Sequence, residues 1–153
     1  MKINGVEISK VAEPKTMVIP MGDSKTILKY KPVYVFDEFE KLCPEPKPPE
    51  VLKPGGVRTT DPQDAEYLKL LDGYASAKTG WMIMESLSPT EGIEWSTVVV
   101  SDPTTWSKIS DELSATFGAV YANSIVRRVI EASGFNSDLI DKATEDFLSE
   151  ASV

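Results

Sequence analysis

The sequence lacks histidine, has one cysteine and contains no long apolar run, and each lack excludes a class of function. Without imidazole, Ser-His-Asp and Cys-His catalysis and His-ligated zinc or haem are excluded. Cys43 alone cannot form an internal disulfide or a thiolate cluster. No run approaches the roughly 20 apolar residues of a membrane span, and residues 1–5 lack the apolar segment of a signal peptide. We therefore predict a soluble intracellular protein with no cofactor, no metal and no membrane partner.

Negative charge predominates over the 153 residues, which carry 24 acidic and 16 basic side chains and a formal net charge of −8. Nucleic-acid affinity comes mostly from Lys and Arg that displace counterions, so this balance argues against a nucleic-acid partner. The charge is also uneven, because residues 1–60 carry 10 basic and 8 acidic side chains whereas residues 61–153 carry 6 and 16. The two stretches therefore differ in character, and the second is the acidic one.

Residues 1–42 predict a small β-rich module. Asn4-Gly5 between β-branched residues is a strong hairpin signal, because both positions of the turn can take positive φ. Residues 16–20, 26–30 and 33–36 predict three further short strands of one small antiparallel sheet. Asp37–Leu42 predicts a short helix with Asp37 as its cap.

A Pro-rich connector over residues 43–60 and an acidic helical domain over residues 61–153 follow. Five prolines between residues 44 and 54 favour extended backbone. Asp61-Pro62 and Asp102-Pro103 each predict a helix start, with Asp as cap and Pro at the first helical position. Residues 95–100 fit either a strand or an extended connector.

Glycines mark the ends of the later helices. Gly118 and Gly134 end the second and third helices, and Asn136 or Ser137 caps the fourth. The predicted fold class is therefore α+β: a small antiparallel β N-terminal part, a Pro-rich connector, and a mainly α-helical bundle of about four helices.

Catalytic candidates are few in this sequence. Asp37, Glu38 and Glu40 could supply an acid–base pair, but acids at a helix N-terminus are also stabilised by the helix dipole. Residues 53–58 contain two glycines without the spacing of a phosphate-binding loop. Cys43 has no histidine base, which favours an inert thiol. We therefore predict that the protein is not an enzyme.

The tryptophans and methionines are the more informative residues. Trp81, Met82, Ile83 and Met84 make one predicted helix apolar all round, which requires cover on more than one side. This pattern predicts either a helix in the middle of the bundle or a partner-binding surface. Trp106 joins the candidate partner-binding set, since Trp is frequent at the centre of interfaces as well as in cores.

The order of aromatic, Pro-rich and Trp-containing motifs resembles that of a protein family. The motifs are Tyr34-Val35-Phe36-Asp37-Glu38-Phe39, Cys43-Pro44-Glu45-Pro46-Lys47-Pro48-Pro49, Pro54-Gly55-Gly56, Ile93-Glu94-Trp95, Asp102-Pro103-Thr104-Thr105-Trp106 and Ala143-x-x-x-Phe147-Leu148. Over most of the chain after residue 30, this order resembles small proteins encoded among the tail genes of tailed bacteriophages, grouped as tail assembly chaperones or minor tail proteins.

The resemblance implies a non-enzymatic bacteriophage assembly protein. Such a protein would bind the tape-measure protein or tail-tube subunits through apolar helical surfaces, in the host cytoplasm. The alternative is a structural virion protein of the tail, neck or capsid surface, bound to neighbouring virion subunits. A homo-oligomer is compatible with either. A carboxylate enzyme and an acidic inhibitor of a host protein are two further hypotheses.

Overall fold

The computed structural model describes residues 1–7, 13–134 and 138–152, and its fold class is α+β as predicted. Short antiparallel strands come first and four helices of nine residues or more follow. No helix among the described residues is both long and apolar enough to cross a membrane. The elements are β1 Lys2–Ile3, β2 Val6–Glu7, β3 Lys15–Met21, β4 Ser24–Tyr30, α1 Asp37–Leu42, β5 Glu50–Lys53, β6 Val57–Thr60, α2 Ala65–Ser86, a 3-10 helix Pro103–Lys108, α3 Ile109–Phe117, α4 Ala119–Ala132 and α5 Asp138–Ala151.

The described strands form three separate two-stranded antiparallel sheets rather than one predicted sheet. In β1–β2, Asn4 and Gly5 both have positive φ, at 51° and 81°, which confirms the predicted Asn-Gly hairpin turn. In β3–β4, residue Lys15 pairs with Tyr30 and Met21 with Ser24. Each β3–β4 strand alternates buried and exposed side chains, as expected for a hairpin with one covered face.

The second half of the predicted connector is a hairpin, β5–β6, in which Glu50 pairs with Thr60 and Lys53 with Val57. Gly55 and Gly56, with φ of 94° and 77°, make the turn. The connector prediction was wrong here because the prolines between residues 44 and 49 precede the strands and remove none of their ladder hydrogen bonds.

The predicted strand at residues 33–36 is not formed, and residues 95–100, predicted as either a strand or an extended connector, are not a strand. Residues 33–36 lie outside any ladder, since the Val33 N–H donates instead to Ser133 Oγ at 3.0 Å. Residues 95–100 are an irregular connector rather than a strand. The Val99 N–H donates to Thr105 Oγ1 at 2.9 Å, and Trp106 Nε1 donates to the Val100 carbonyl at 3.2 Å.

Helix caps follow the predicted chemistry at one start and depart from it at two others. Asp102 caps the 3-10 helix as predicted, accepting the Thr104 N–H at 3.0 Å. α2 begins at Ala65 rather than at residue 62, because Asp64 accepts the Tyr67 N–H at 2.8 Å. α1 follows Phe36 with no side-chain cap bond, so the prediction for Asp37 was wrong. Gly118 and Gly134 have positive φ at the ends of α3 and α4, whereas the predicted caps Asn136 and Ser137 lie outside the described residues.

The chain forms two compact units. The first comprises Met1–Tyr34, Ile83–Glu94 and Leu113–Val153, and the second comprises Val35–Met82 and Trp95–Glu112. Each unit is therefore built from segments that are distant in sequence, and α2 and α3 each contribute residues to both units.

These units differ from the predicted segments 1–42, 43–60 and 61–153. Charge and proline content divide a chain at one point in the sequence, whereas packing joins whichever segments bury apolar surface together. The Pro-rich stretch consequently lies inside the second unit rather than between two domains.

Hydrogen bonds fasten β4 and the residue after it within the first unit. The Lys31 N–H donates to the Ser86 carbonyl at 2.8 Å, and the Ser86 hydroxyl donates back to the Lys31 carbonyl at 2.7 Å. Lys31 Nζ also pairs with Glu85 at 2.8 Å. The Thr90 hydroxyl accepts the Lys29 N–H at 2.8 Å and donates to the Lys29 carbonyl at 2.7 Å. These two bonds occupy part of the outer edge of β4. The buried apolar side chains of this unit are Met17, Ile19, Leu28, Tyr30, Val33, Ile83, Met84, Leu87, Leu113, Ala122, Ile125 and Val129.

Candidate functional site

The five predicted partner-binding side chains are core residues. Trp81, Met82, Ile83, Met84 and Trp106 are each at most 8% exposed. Because they are buried, these side chains offer no free surface to a partner. The predicted docking surface is therefore not at these residues. The all-round apolar character of α2 is explained by burial, which was the other interpretation of the pattern.

An aromatic cluster in the second unit accounts for two of these residues. Phe39 is fully buried at its centre, with ring centroids 5.3 Å from Tyr74, 5.9 Å from Trp81 and 5.8 Å from Trp106. All three pairs are tilted, a geometry that aromatic rings prefer over face-to-face stacking. The ammonium group of Lys78 lies 5.9 Å from the Tyr74 ring. The cluster is therefore a packing centre made by α1, α2 and the 3-10 helix.

A close backbone approach holds the 3-10 helix against α2 in the second unit. A Cβ at Gly80 would lie 2.6 Å from the carbonyl carbon of Trp106, closer still to its oxygen, and 3.4 Å from Ile109. Only glycine fits such a contact without movement of one backbone. Gly73, two turns earlier in the same helix, has open space where a Cβ would be.

An open groove of about 500 Å³ runs beside this cluster, between the Pro-rich segment and α2. Cys43, Pro44, Leu70, Gly73 and Tyr74 are among its lining residues. Burial raises the pKa of the Cys43 thiol, which keeps it protonated at neutral pH and poor as a nucleophile. Burial also raises the pKa of Tyr74, and the carboxylates nearby raise it further. The groove thus offers apolar contact rather than reactive groups.

The predicted acid–base candidates do not converge in a pocket. Asp37, Glu38 and Glu40 are all exposed on α1. A carboxylate enzyme requires two acids that converge on a substrate in a pocket, and these three side chains lie on one exposed helix turn. In the part of the chain that the structure describes, no group of three or more His, Cys, Asp or Glu could hold a metal ion.

Glu112 of α3 fastens the irregular segment that leads to the 3-10 helix. Its carboxylate accepts the Ser96 N–H, the Thr97 N–H at 3.0 Å and the Thr97 hydroxyl at 2.7 Å. Burial raises the pKa of this carboxyl, but the hydrogen bonds from Ser96, Thr97 and Val98 outweigh it, and the pKa is lowered. The ionised carboxylate therefore has a structural role in the second unit.

We expect Glu112→Gln to lower the free energy of unfolding by about 1–2 kcal/mol at pH 7, because the amide places an NH₂ donor against backbone donors. The pKa of the Glu112 carboxyl is lower in the folded protein than in the unfolded chain, where it is about 4.3. The ionised carboxylate therefore stabilises the fold above the unfolded pKa, and this stabilisation is lost as the pH falls through the folded pKa. The difference between the two proteins should therefore shrink below pH 4. Urea unfolding from pH 3 to 7 measures it, and exposed Glu131→Gln, which should change little, is the matched control.

An apolar surface with no partner in the structure lies on α5. Every residue from 140 to 152 is exposed, and Ile140, Phe147 and Leu148 are 67%, 69% and 58% exposed. With Ala143 they form the α5 stripe: Ile140, Ala143, Phe147 and Leu148, at helical spacings of three, four and one. Ile140, Ala143, Thr144 and Phe147 line a shallow depression along it.

The spacing of these side chains is that of one apolar face of a helix, which a helical bundle would ordinarily cover. Periodicity shows that a helix has an apolar face and does not show what covers it. The structure leaves all four side chains of the α5 stripe exposed.

No protein-family model, no curated protein and no solved structure matches this chain. The candidate site therefore depends on geometry, and the α5 stripe is the feature with the clearest unmet packing requirement.

Proposed function

We propose that this protein is a non-enzymatic bacteriophage assembly protein, similar to tail assembly chaperones, that binds tape-measure or tail subunits through an exposed apolar helix surface. The observation that carries this proposal is the α5 stripe. Large apolar side chains that line one exposed face of a helix are typical of a surface that binds another protein.

The chemistry of the remaining residues supports binding over catalysis. The groove beside the aromatic cluster holds a protonated thiol, Cys43, and the acids of α1 are solvated. The acidic surface would keep a complex with an apolar client soluble. The phage tail context comes from the motif order between Tyr34 and Leu148, which resembles that of tail-gene proteins.

A pull-down from phage-infected cells tests this function. With affinity-tagged protein as bait, we expect mass spectrometry to recover the tape-measure protein or tail-tube subunits above the level obtained with a tagged unrelated acidic protein. We also expect the chain to be absent from purified virions. Recovery of no tail protein would contradict the chaperone role. Purified virions that contain as many copies of the chain as of the tail subunits would contradict it too.

A second candidate function, a structural protein of the tail, neck or capsid surface, is favoured by the β5–β6 hairpin. Leu52 and Val57 are 71% and 61% exposed, and among the described residues no third strand joins this sheet. Exposed edges of this kind can pair with strands of a neighbouring subunit. Virions that contain stoichiometric amounts of the chain would support this candidate over the first.

A further inference from the structure

Carboxylates border the α5 stripe on both sides, and this charge restricts what can cover it. At about 100° per residue, Asp146 and Glu150 lie along one side of the stripe and Asp141 along the other. Residues 140–151 contain a fourth acid, Glu145, and a single base, Lys142. An occupant of the stripe must therefore place its own flanking groups beside carboxylates.

Two kinds of occupant fit this charge poorly. A second copy of α5 would bring carboxylates against carboxylates, and like charges at neighbouring helix positions are destabilising. A membrane surface fits no better, because helices that lie on membranes carry Lys and Arg on their polar face and are attracted to anionic lipids. The polar face of α5 has the opposite sign.

We infer that the α5 stripe binds an amphipathic helix of another protein whose apolar face is flanked by Lys or Arg. The inference rests on the proposed function, to which it adds the docking element and the chemistry of the partner. α5 has 14 residues and is therefore about 21 Å long. One helix laid along it buries less area than a permanent interface, which suits a partner that is released later.

The conformation of α5 should also respond to this partner. An exposed helix of this length gains little stability from packing, and by itself it is only marginally stable in water. The hydroxyls of Thr144 and Ser149 donate to the carbonyls four residues earlier, at 2.7 and 2.8 Å, and such bonds weaken a helix slightly. A partner that binds only the helical form stabilises it by mass action. Binding should therefore slow amide hydrogen exchange in residues 140–151.

Two synthetic peptides test the inference on the full chain. Both are amphipathic helices of about 18 residues with one Leu-rich face, long enough to be partly helical alone. One has Lys at every position that flanks the apolar face, and the other has Glu at the same positions. By fluorescence anisotropy at low salt, we expect the basic peptide to bind at least about tenfold more tightly than the acidic one.

Variants of the chain locate the binding surface. Ile140→Ala/Phe147→Ala should weaken binding of the basic peptide by more than about tenfold, because it removes the two largest anchors of the stripe's centre while alanine maintains the helix. Val120→Ala, at a side chain 77% exposed on α4, is the matched control and should leave binding unchanged. Asp146→Lys/Glu150→Lys should reduce the preference for the basic peptide by at least about tenfold.

Three results would overturn the inference: no binding of the basic peptide, equal binding by the Ile140→Ala/Phe147→Ala variant, or a chain dimer in sedimentation that this variant abolishes. The proposed function has a separate readout. If the double variant, used as bait, still recovers tail proteins from infected cells, only the docking role of α5 is contradicted. If the unchanged chain recovers no tail protein, the assembly function is contradicted, whatever the result of the peptide-binding measurements.

Discussion

Phe39→Ala should lower the free energy of unfolding by about 4 kcal/mol, in the middle of the range of about 3–5 kcal/mol for truncation of a buried aromatic side chain. Phe39 is fully buried and its ring contacts those of Tyr74, Trp81 and Trp106. Alanine leaves a cavity bordered by three elements of the second unit, and rigid aromatic neighbours cannot collapse into it easily. Urea unfolding followed by tryptophan fluorescence measures the loss.

The same substitution at an exposed site is the control. Phe147 on α5 is 69% exposed, so Phe147→Ala should change stability by no more than about 0.5 kcal/mol. If Phe39→Ala does not fold, Phe39→Leu keeps most of the volume and should cost about 1–2 kcal/mol. A loss below about 1 kcal/mol for Phe39→Ala would show that the aromatic cluster does not organise this unit.

Gly80→Ala should destabilise the protein by about 3 kcal/mol, although alanine is the better helix former by about 1 kcal/mol. The added methyl group would overlap the backbone carbonyl of Trp106, and a carbonyl in a short helix cannot rotate away as a side chain can. Relief requires α2 and the 3-10 helix to separate, which opens the contacts of Trp106 and Ile109. Thermal and urea unfolding both report this change.

Gly73→Ala is the matched control in the same helix and should have the opposite sign. Gly73 has negative φ and nothing near the position of a Cβ, so alanine should stabilise the protein by about 0.5–1 kcal/mol. Equal effects of the two substitutions would mean that helix propensity, and not the approach of Trp106, governs position 80.

Local chemistry made some elements predictable from the sequence. The Asn4-Gly5 turn follows from the ease with which both residues adopt positive φ, and the structure has both in that region. Asp102-Pro103 predicted a helix start because one side chain can accept an orphan N–H two residues on, as it does from Thr104. In each case the deciding interaction joins residues close in the chain.

Other elements depend on partners that are remote in sequence. Val33 belongs to a strand by composition, but its N–H is taken by Ser133, one hundred residues away. The β5–β6 hairpin had a local signal, Gly55-Gly56 between Leu52 and Val57, which the density of prolines before it outweighed. The hairpin was missed because two local patterns competed. The strand at residues 33–36 was wrongly predicted because a tertiary contact determines the conformation there.

The candidate site shows the same division. The apolar face of α5 was legible from the spacing of Ile140, Ala143 and Phe147, as was the all-round apolar character of Trp81 to Met84. Which of these surfaces is covered depends on how the segments pack, and no periodicity encodes it. In the structure, residues 81–84 lie in the core and the α5 stripe is exposed.

The division of the chain into interleaved segments has a consequence for its synthesis on the ribosome. The second unit needs nothing beyond Glu112, so it can close once that residue has left the exit tunnel. The first unit includes the earliest strands but also α4, whose Ser133 bonds Val33. Val33, which follows the β3–β4 hairpin, must therefore wait for its Ser133 partner until α4 has also been synthesised.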